Sequence, residues 1–305
     1  MMIPDYIENE SQLDDIMSTP SAGLIEMMKR LSGDIMILGI AGKMGHTLGR
    51  QAVRAIEEAG VQKKVIGVSR FSDSSMKEKI GNFGIENIGC DLLDPGQVEE
   101  LPLAENVIFM AGRKFGTGGN EHFTWAMNTT VPAICARKFK SSRIVAFSTG
   151  CVYPLISPES GGSREVDSVG PVGEYSMSCL GRERVFEHYS TVFGTRAALV
   201  RLNYAIDMRY GVLYDIASKI INDGTADLTV PDFNAIWQGD ATDQILRVLE
   251  HCDSPPFIIN VTGPEQVSTR EAALKLAELM GVDVDLQEST NKLALLSNSS
   301  IACAL

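Results

Sequence analysis

The segment Gly39 to Gly45, GIAGKMG, places glycines three residues apart, between a short apolar run and a stretch of helical periodicity. Each glycine meets a need of a phosphate site: Gly39 permits a tight turn, Gly42 leaves bare backbone for a pyrophosphate, and Gly45 lets the next helix pack close. That helix would aim free first-turn N–H groups and the positive end of its dipole at the anion. A generic turn uses glycine in the same way, so the flanking strand and helix carry the reading. Arg113, Lys114 and His122 lie in the loop RKFGTGGNEHF and suit either an anionic substrate or a solvent-facing loop. The six cysteines form no CxxC pair, and the four histidines share no HxxxH or HxH spacing. The sequence therefore predicts no metal site, and free thiols in a reducing compartment.

These residues need a scaffold. Short apolar runs at Ile35 to Ile40, Lys64 to Val68, Asn87 to Gly89, Asn106 to Met110, Arg143 to Phe147, Ala197 to Leu202 and Phe257 to Val261 alternate with helical stretches. That is the pattern of a parallel sheet crossed by helices. The predicted fold class is α/β, a Rossmann-like doubly wound parallel sheet with a smaller, mainly helical C-terminal substrate lobe. Met44, Leu48, Ala52 and Ile56 form a stripe that would lie on the sheet, and Gly60 ends that helix. The predicted organisation is an N-terminal helical extension at 1–33, a nucleotide-binding domain at 34–204 to which 237–262 returns, and a substrate lobe from 205–236 and 263–305. In the extension, Asp5 to Ser32 reads as helical, with Leu24, Met27, Met28 and Leu31 at helical spacing. Pro154 to Glu174 is rich in Pro, Gly and Ser and reads as a long loop, either lining a site or merely connecting. The tail Asn291 to Leu305 stops without a terminator, as a truncated chain would.

With 305 residues, 44% of them hydrophobic and 22% charged, the chain can bury a large core, which excludes disordered and fibrous classes. Acidic residues outnumber basic ones 39 to 27, for a net charge of −12, which argues against nucleic acid and anionic membranes as partners. The acidic N-terminus, and the lack of any apolar run near the ~20 residues of a bilayer span, predict a soluble cytoplasmic protein.

The spacing GxxGxxG, taken with later residues, resembles the extended short-chain dehydrogenase/reductases, the NAD-dependent epimerase/dehydratase family, over roughly Asp34 to Met280. The resemblance implies that Gly39, Gly42, Lys43, Met44 and Gly45 hold the cofactor phosphates. It likewise implies that Asp91 and Leu92 of GCDLLDP contact the adenine, that Met110, Ala111 and Gly112 lie along the cofactor, and that Asn128 is the family's buried helix asparagine. Family members usually end the second strand with a carboxylate for the ribose hydroxyls; here VIGVSR ends on Ser69 and Arg70. An arginine can pair bidentately with a ribose 2′-phosphate, and no carboxylate repels it, so NADP is favoured over NAD. The alternative is that Arg70 is an ordinary surface cation.

AFSTGCVYP is similar to the family's S-[ST]-x-x-V-Y segment, which makes Thr149 the catalytic hydroxyl. Gly150 and Cys151 stand where dehydratases of the family carry an Asp-Glu pair, which disfavours ordinary sugar-nucleotide dehydration. Glu165, Pro171 and Tyr175 match the approach to the YxxxK helix, so Tyr175 would be the proton-transferring phenol and a cofactor contact. The lysine is missing, and Cys179 takes its place. A phenol near its reference pKa of about 10 is a poor base at neutral pH, at a loss of ~10²–10⁴ in rate. Three accounts stay open: a cation from elsewhere, such as Arg113, Lys114 or Arg182; different chemistry at Cys179; or cofactor binding without turnover. Arg182 shares the helix face with Tyr175 but reads chiefly as a solvated charge reaching past the ribose. Cys179 and Cys151 read chiefly as packing residues. Arg201 and Asn203 in VRLNYA, with GDATDQIL and NVTGPEQVSTREAA further on, thicken the resemblance. It sets Asn203, and Arg113 and His122 over the nicotinamide end, towards a substrate.

Two functions follow. One is an NAD(P)-dependent oxidoreductase or epimerase acting on a sugar, sugar acid or nucleotide sugar, with Tyr175 and Thr149 at the reacting oxygen. The other is a catalytically impaired sensor or structural protein that binds the same cofactor. The resemblance also implies a homodimer, paired through the helix after the fourth strand and the Tyr175 helix.

Overall fold

The computed structural model describes residues 4, 6–114 and 116–305, so Asp5 and Phe115 of the segments above lie outside it. Six strands come first: β1 (Ile35–Leu38), β2 (Val65–Ser69), β3 (Glu86–Gly89), β4 (Asn106–Phe109), β5 (Arg143–Thr149) and β6 (Ala197–Leu202). Four short ones follow, β7 (Ala205–Ile206), β8 (Thr225–Asp227), β9 (Asp232–Phe233) and β10 (Ile236–Trp237), before β11 (Phe257–Val261) returns to the sheet. The seven-stranded sheet runs β11-β6-β5-β4-β1-β2-β3, with every pairing parallel. The predicted apolar runs become these strands, and β5 goes two residues further, to Thr149. Order reverses between β1 and β4, which opens a crevice at the carboxyl ends of these strands.

Helices cover both faces. On one face, α2 (Ala22–Arg30), α3 (Gly45–Ala59) and α10 (Gln238–Arg247) set Leu24, Met27, Leu48, Ala52 and Ile245 against Ile37, Val145 and Val200. On the other, α5 (Pro95–Glu100), α7 (Val131–Lys138) and α8 (Gly173–Phe193) bury Val98, Val131, Cys135 and Phe186 with Leu38, Phe109 and Ala146. The stripe on α3 packs as its spacing predicts, and Gly60 ends the helix at φ 66°. A separate small core, with Ile220, Ala226, Ala273 and Ala277, holds α9 (Val212–Asp223) to α11 (Thr269–Met280).

The N-terminal helical run is two helices, α1 (Glu10–Met17) and α2. Pro20 has no N–H to continue α1, and Ser21 starts α2 by accepting the Leu24 N–H at 3.1 Å. From α1, buried Asp14 meets Lys79 at 2.5 Å, Arg209 at 3.2 Å and His46 at 3.8 Å. Burial works to raise the Asp14 carboxyl, but His46 and Lys79 outweigh it and hold the group below the ordinary carboxylate range. His46 is on the first turn of α3, so the extension grips the helix that follows the glycine turn.

Residues 294–297 are buried and run back along the loop that follows β5. Ile156 and Ala294 exchange backbone hydrogen bonds of 2.9 Å, and Asn234 donates to the Ser297 carbonyl at 2.6 Å. Among the described residues, no helix is long and apolar enough to cross a membrane.

Candidate active site

At the end of β1 the chain turns through Gly39 at φ 94°, where a Cβ would stand 2.8 Å from the Ala111 amide nitrogen. A Cβ on Gly45 would lie 2.2 Å from the Ile40 carbonyl oxygen. The turn therefore admits only glycine at two of its three glycine positions. Met44 precedes α3 without a side-chain cap; the Gly45 N–H bonds the Gly42 carbonyl at 3.1 Å, which leaves the later first-turn N–H groups for an outside acceptor. Bare backbone, an uncapped helix start and a topological switch point together fit a dinucleotide pyrophosphate. The Lys43 ammonium lies 4.6 Å from the centroid of the Tyr210 ring. At the other end of the cleft, Ser69 closes β2, and Arg70 is exposed with no ion pair or hydrogen bond among the described residues. Asp91 accepts the Leu93 N–H at 3.1 Å, and Leu92 is buried.

β4 and β5 deliver the second half of the site. Thr149, the last residue of β5, accepts the Cys151 N–H at 3.2 Å. Half-buried Tyr175, on the first turn of α8, packs with Val152, Tyr153, Val169 and Cys179. Burial pushes the Tyr175 phenol up, the neighbouring Cys179 and Cys151 push the same way, and Arg182 and the Thr149 hydroxyl pull it down. Burial likewise raises the Cys179 thiol, so at neutral pH Cys179 is a protonated packing residue and not a nucleophile.

Asn128 sits within a π-helical turn, Ala126–Thr130, that joins α6 (Glu121–Trp125) to α7. Nothing in the sequence signals that turn, though such insertions gather at functional sites. Its amide is fully engaged. The oxygen accepts from the Arg113 N–H at 2.9 Å and Arg182 Nη2 at 2.6 Å. The nitrogen donates to the Arg113 carbonyl at 3.0 Å and Ser178 Oγ at 2.9 Å.

Arg182 corrects the sequence reading, because it is not a solvated helix charge. It is 6% exposed and donates Nη1 to the Phe147 carbonyl at 2.7 Å. Its guanidinium carbon is 5.6 Å from the centroid of the Phe109 ring. A Cβ on Gly112 would fall 2.3 Å from Nη2, so the Ala111–Gly112 backbone lies directly on the guanidinium. The next residue, Glu183, is fully buried and ties Arg201 at 2.9 Å and Ser148 Oγ at 2.5 Å. Arg201 continues to the Tyr153 hydroxyl at 2.8 Å, which donates to Asn260 at 2.9 Å. This strut fixes β5 just before Thr149, and sequence reasoning gave it no role.

The structure brings Thr149, Tyr175, Ala111, Gly112 and Asn128 together at the ends of β4 and β5. It gathers Gly39, Gly42, Lys43, Met44 and Gly45 at β1, and Ser69, Arg70, Asp91 and Leu92 beyond β2 and β3. Arg113 turns back on its own loop, donating to the Gly116 carbonyl at 2.6 Å, and His122 is exposed on α6. Asn203 is 3% exposed and donates to Asn234 at 3.1 Å and the Leu295 carbonyl at 3.3 Å. Glu165 accepts the Asn260 N–H at 2.9 Å, anchoring the long loop to β11.

Residues 35–206 match the NAD dependent epimerase/dehydratase family, and the chain belongs to that family. No curated protein matches the sequence. Among solved structures, an epimerase from the thermophilic methanogen Methanothermobacter thermautotrophicus is 18% identical at a TM-score of 0.75, covering 93% of this chain and 89% of its own. A dTDP-glucose 4,6-dehydratase from Bacillus anthracis in complex with NAD is 13% identical at a TM-score of 0.73, with 90% of each chain covered. A UDP-galactose 4-epimerase is 20% identical at a TM-score of 0.70, over 89% of this chain and 91% of that one. At these identities the likeness establishes the Rossmann-like fold.

Proposed function

We propose that the chain is an NADP-linked oxidoreductase or epimerase acting on a sugar, sugar acid or nucleotide sugar. The observation that carries this reading is the convergence of Thr149 and Tyr175 beside the Ala111–Gly112 backbone, in one crevice with the uncapped glycine turn. The UDP-galactose epimerase and the dTDP-glucose dehydratase among its structural neighbours support a carbohydrate substrate. Gly150 and Cys151 put no acid–base pair beside Thr149, which favours hydride exchange without loss of water.

When bound, the nicotinamide supplies or accepts hydride; the chain's own residues do the rest. The amides following Gly42 hold the pyrophosphate, and Arg70 takes the ribose 2′-phosphate. Thr149 hydrogen-bonds the reacting substrate oxygen. The raised Tyr175 phenol stays protonated at neutral pH, so it donates a proton to a carbonyl oxygen during reduction. It accepts one during oxidation only as its ionised fraction grows, so the oxidative rate climbs with pH.

Cys179 in place of lysine favours a second reading, a dinucleotide-binding protein without turnover. A nicotinamide-fluorescence titration with NADPH and NADH, followed by a screen of carbonyl substrates, separates the two. Tighter binding of NADPH, and turnover that collapses in Tyr175→Phe, are expected. Binding without turnover selects the sensor, failure to bind either dinucleotide overturns both readings, and full activity of Tyr175→Phe removes its assigned role. The same reading includes a homodimer through α7 and α8, which a monomer in sedimentation at micromolar concentration would contradict.

A further inference from the structure

We propose that Arg182, seven residues along α8 from Tyr175, supplies the positive charge that position 179 lacks, and so acts as the positioning residue for the Tyr175 proton. The inference rests on the Tyr175 role proposed above.

Three observations carry it. The first is level. Helical side chains lean towards the helix N-terminus, so a long arginine at i+7 reaches back over the turn before it. Arg182 Nη2 ends 2.6 Å from Asn128 Oδ1, and the same Asn128 amide bonds Ser178 Oγ at 2.9 Å and lies 4.0 Å from Cys179 Sγ. The guanidinium therefore stands alongside residues 178 and 179, although its Cα is a turn away.

The second is space. Cys179 is small and neutral, and the guanidinium lies against Gly112, where a Cβ would come within 2.3 Å of it. A glycine on the shelf and a short side chain at 179 together make room for the arginine head.

The third is charge. Among the described residues Arg182 forms no ion pair, whereas adjacent Glu183 gives both carboxylate oxygens to Arg201. Among the same residues its Nη groups bond only neutral dipoles, and its Nε is buried without a partner. A buried cation without a counter-ion is costly to keep. The group that gains from it is one that becomes negative during turnover.

When Tyr175 gives its hydroxyl proton to the substrate oxygen, the O–H bond breaks, a new O–H forms on the substrate, and the pair left on Tyr175 makes a phenolate. The Arg182 charge stabilises that phenolate, and in the reverse direction it favours the form of Tyr175 that accepts a proton. Arginine does not itself deprotonate, so Arg182 contributes field and no proton. The direction in which it moves both Tyr175 and Cys179 agrees.

The test uses the full chain as wild type, R182Q, R182K, C179K and the double variant C179K/R182Q, each checked by thermal unfolding. Without cofactor, the tyrosine ring carbons are labelled at Cζ, and the Tyr175 resonance is assigned by its loss in Tyr175→Phe. The pH is then raised to the limit set by unfolding. Ionisation should begin about one pH unit or more lower in wild type than in R182Q, and C179K/R182Q should recover the wild-type onset. With cofactor and substrate, R182Q should lose about 10²-fold in oxidative turnover, with its pH limb displaced upwards, and R182K should keep part of the activity. C179K alone should gain less than about twofold, because the charge is already supplied. Equal onsets in wild type and R182Q, no onset in wild type, unchanged turnover in folded R182Q, or a gain of about tenfold in C179K would each overturn the proposal. If R182Q does not fold, C179K still decides. Failure of the wild type to bind NADPH or turn over would sink the functional reading instead, while the cofactor-free comparison still judges Arg182.

Discussion

The two ends of the cleft obey different rules. At the proposed phosphate end the backbone does the work, and side chains are kept out: Gly39 and Gly45 have no room for a Cβ against Ala111 and Ile40. At the proposed catalytic end side chains take that part, and the cation expected at position 179 is absent, while Arg182 brings a buried charge alongside from a turn further on. A steric requirement on the backbone is tied to one residue number. A field is set by where a charge ends up, and a long side chain can bring it from another position.

Four substitutions would break or sharpen that contrast. The largest effect is expected at Tyr175→Phe, which should lower turnover by ~10²–10⁴ while dinucleotide affinity and thermal stability hold near wild type; steady-state kinetics beside a fluorescence titration check it. Gly45→Ala should act through the backbone. Its Cβ would sit 2.2 Å from Ile40 O, so the turn must shift, dinucleotide affinity should fall about 10²-fold, and stability in a denaturant melt should drop by ~2–3 kcal/mol. Should Gly45→Ala bind normally, the two ends would not differ as argued.

Arg70→Ala should weaken NADPH by about tenfold and leave NADH alone, the mark of a lost 2′-phosphate contact at an exposed site. The smallest effect is expected at Asp14→Asn, about 1 kcal/mol in a melt at neutral pH, since its cationic partners are partly solvated. The Asp14 carboxyl is depressed in the folded state. Its stabilisation is therefore present above the unfolded value of about 3.9 and fades as pH falls below it. The gap between Asp14→Asn and wild type should narrow below about pH 4; a constant gap would mean that the charge is not what Asp14 contributes.

The same contrast explains what the sequence disclosed. The strands of the sheet were legible because parallel strands buried on both faces are continuous apolar runs, as in IMIL of β1. The glycine turn was legible because its constraint is local, and the first two strands and α3 locate it. Arg182 was legible as one of three cations that could replace the missing lysine, but its burial was not. Its helix buries one face, from Ser176 and Cys179 to Arg182, Glu183 and Phe186, but that face is mostly polar or small, so no apolar stripe separates inward from outward charges. The π-helical turn at Asn128 gives no sequence signal, because one extra residue in a helix changes neither composition nor periodicity enough to notice. The Glu183–Arg201 strut depends on pairing β5 with β6 and laying α8 across them, which local patterns do not specify.

The run of residues 294–297 along Ile156 and the Thr149 turn also bears on how the protein is made. A Cβ on Gly150 would meet Ser297 Oγ at 3.2 Å, so this late segment forms the backing of the turn that follows Thr149. On a ribosome the glycine turn and its flanking strands emerge early and can settle with near neighbours. The ground behind Thr149 has to wait for residues far along the message, and contacts of such long sequence separation form slowly. The helix after the glycine turn waits as well, for Gln238 and Thr242 of α10, which bond Thr47 and Gln51, so both ends of the cleft are completed only by the last third of the chain.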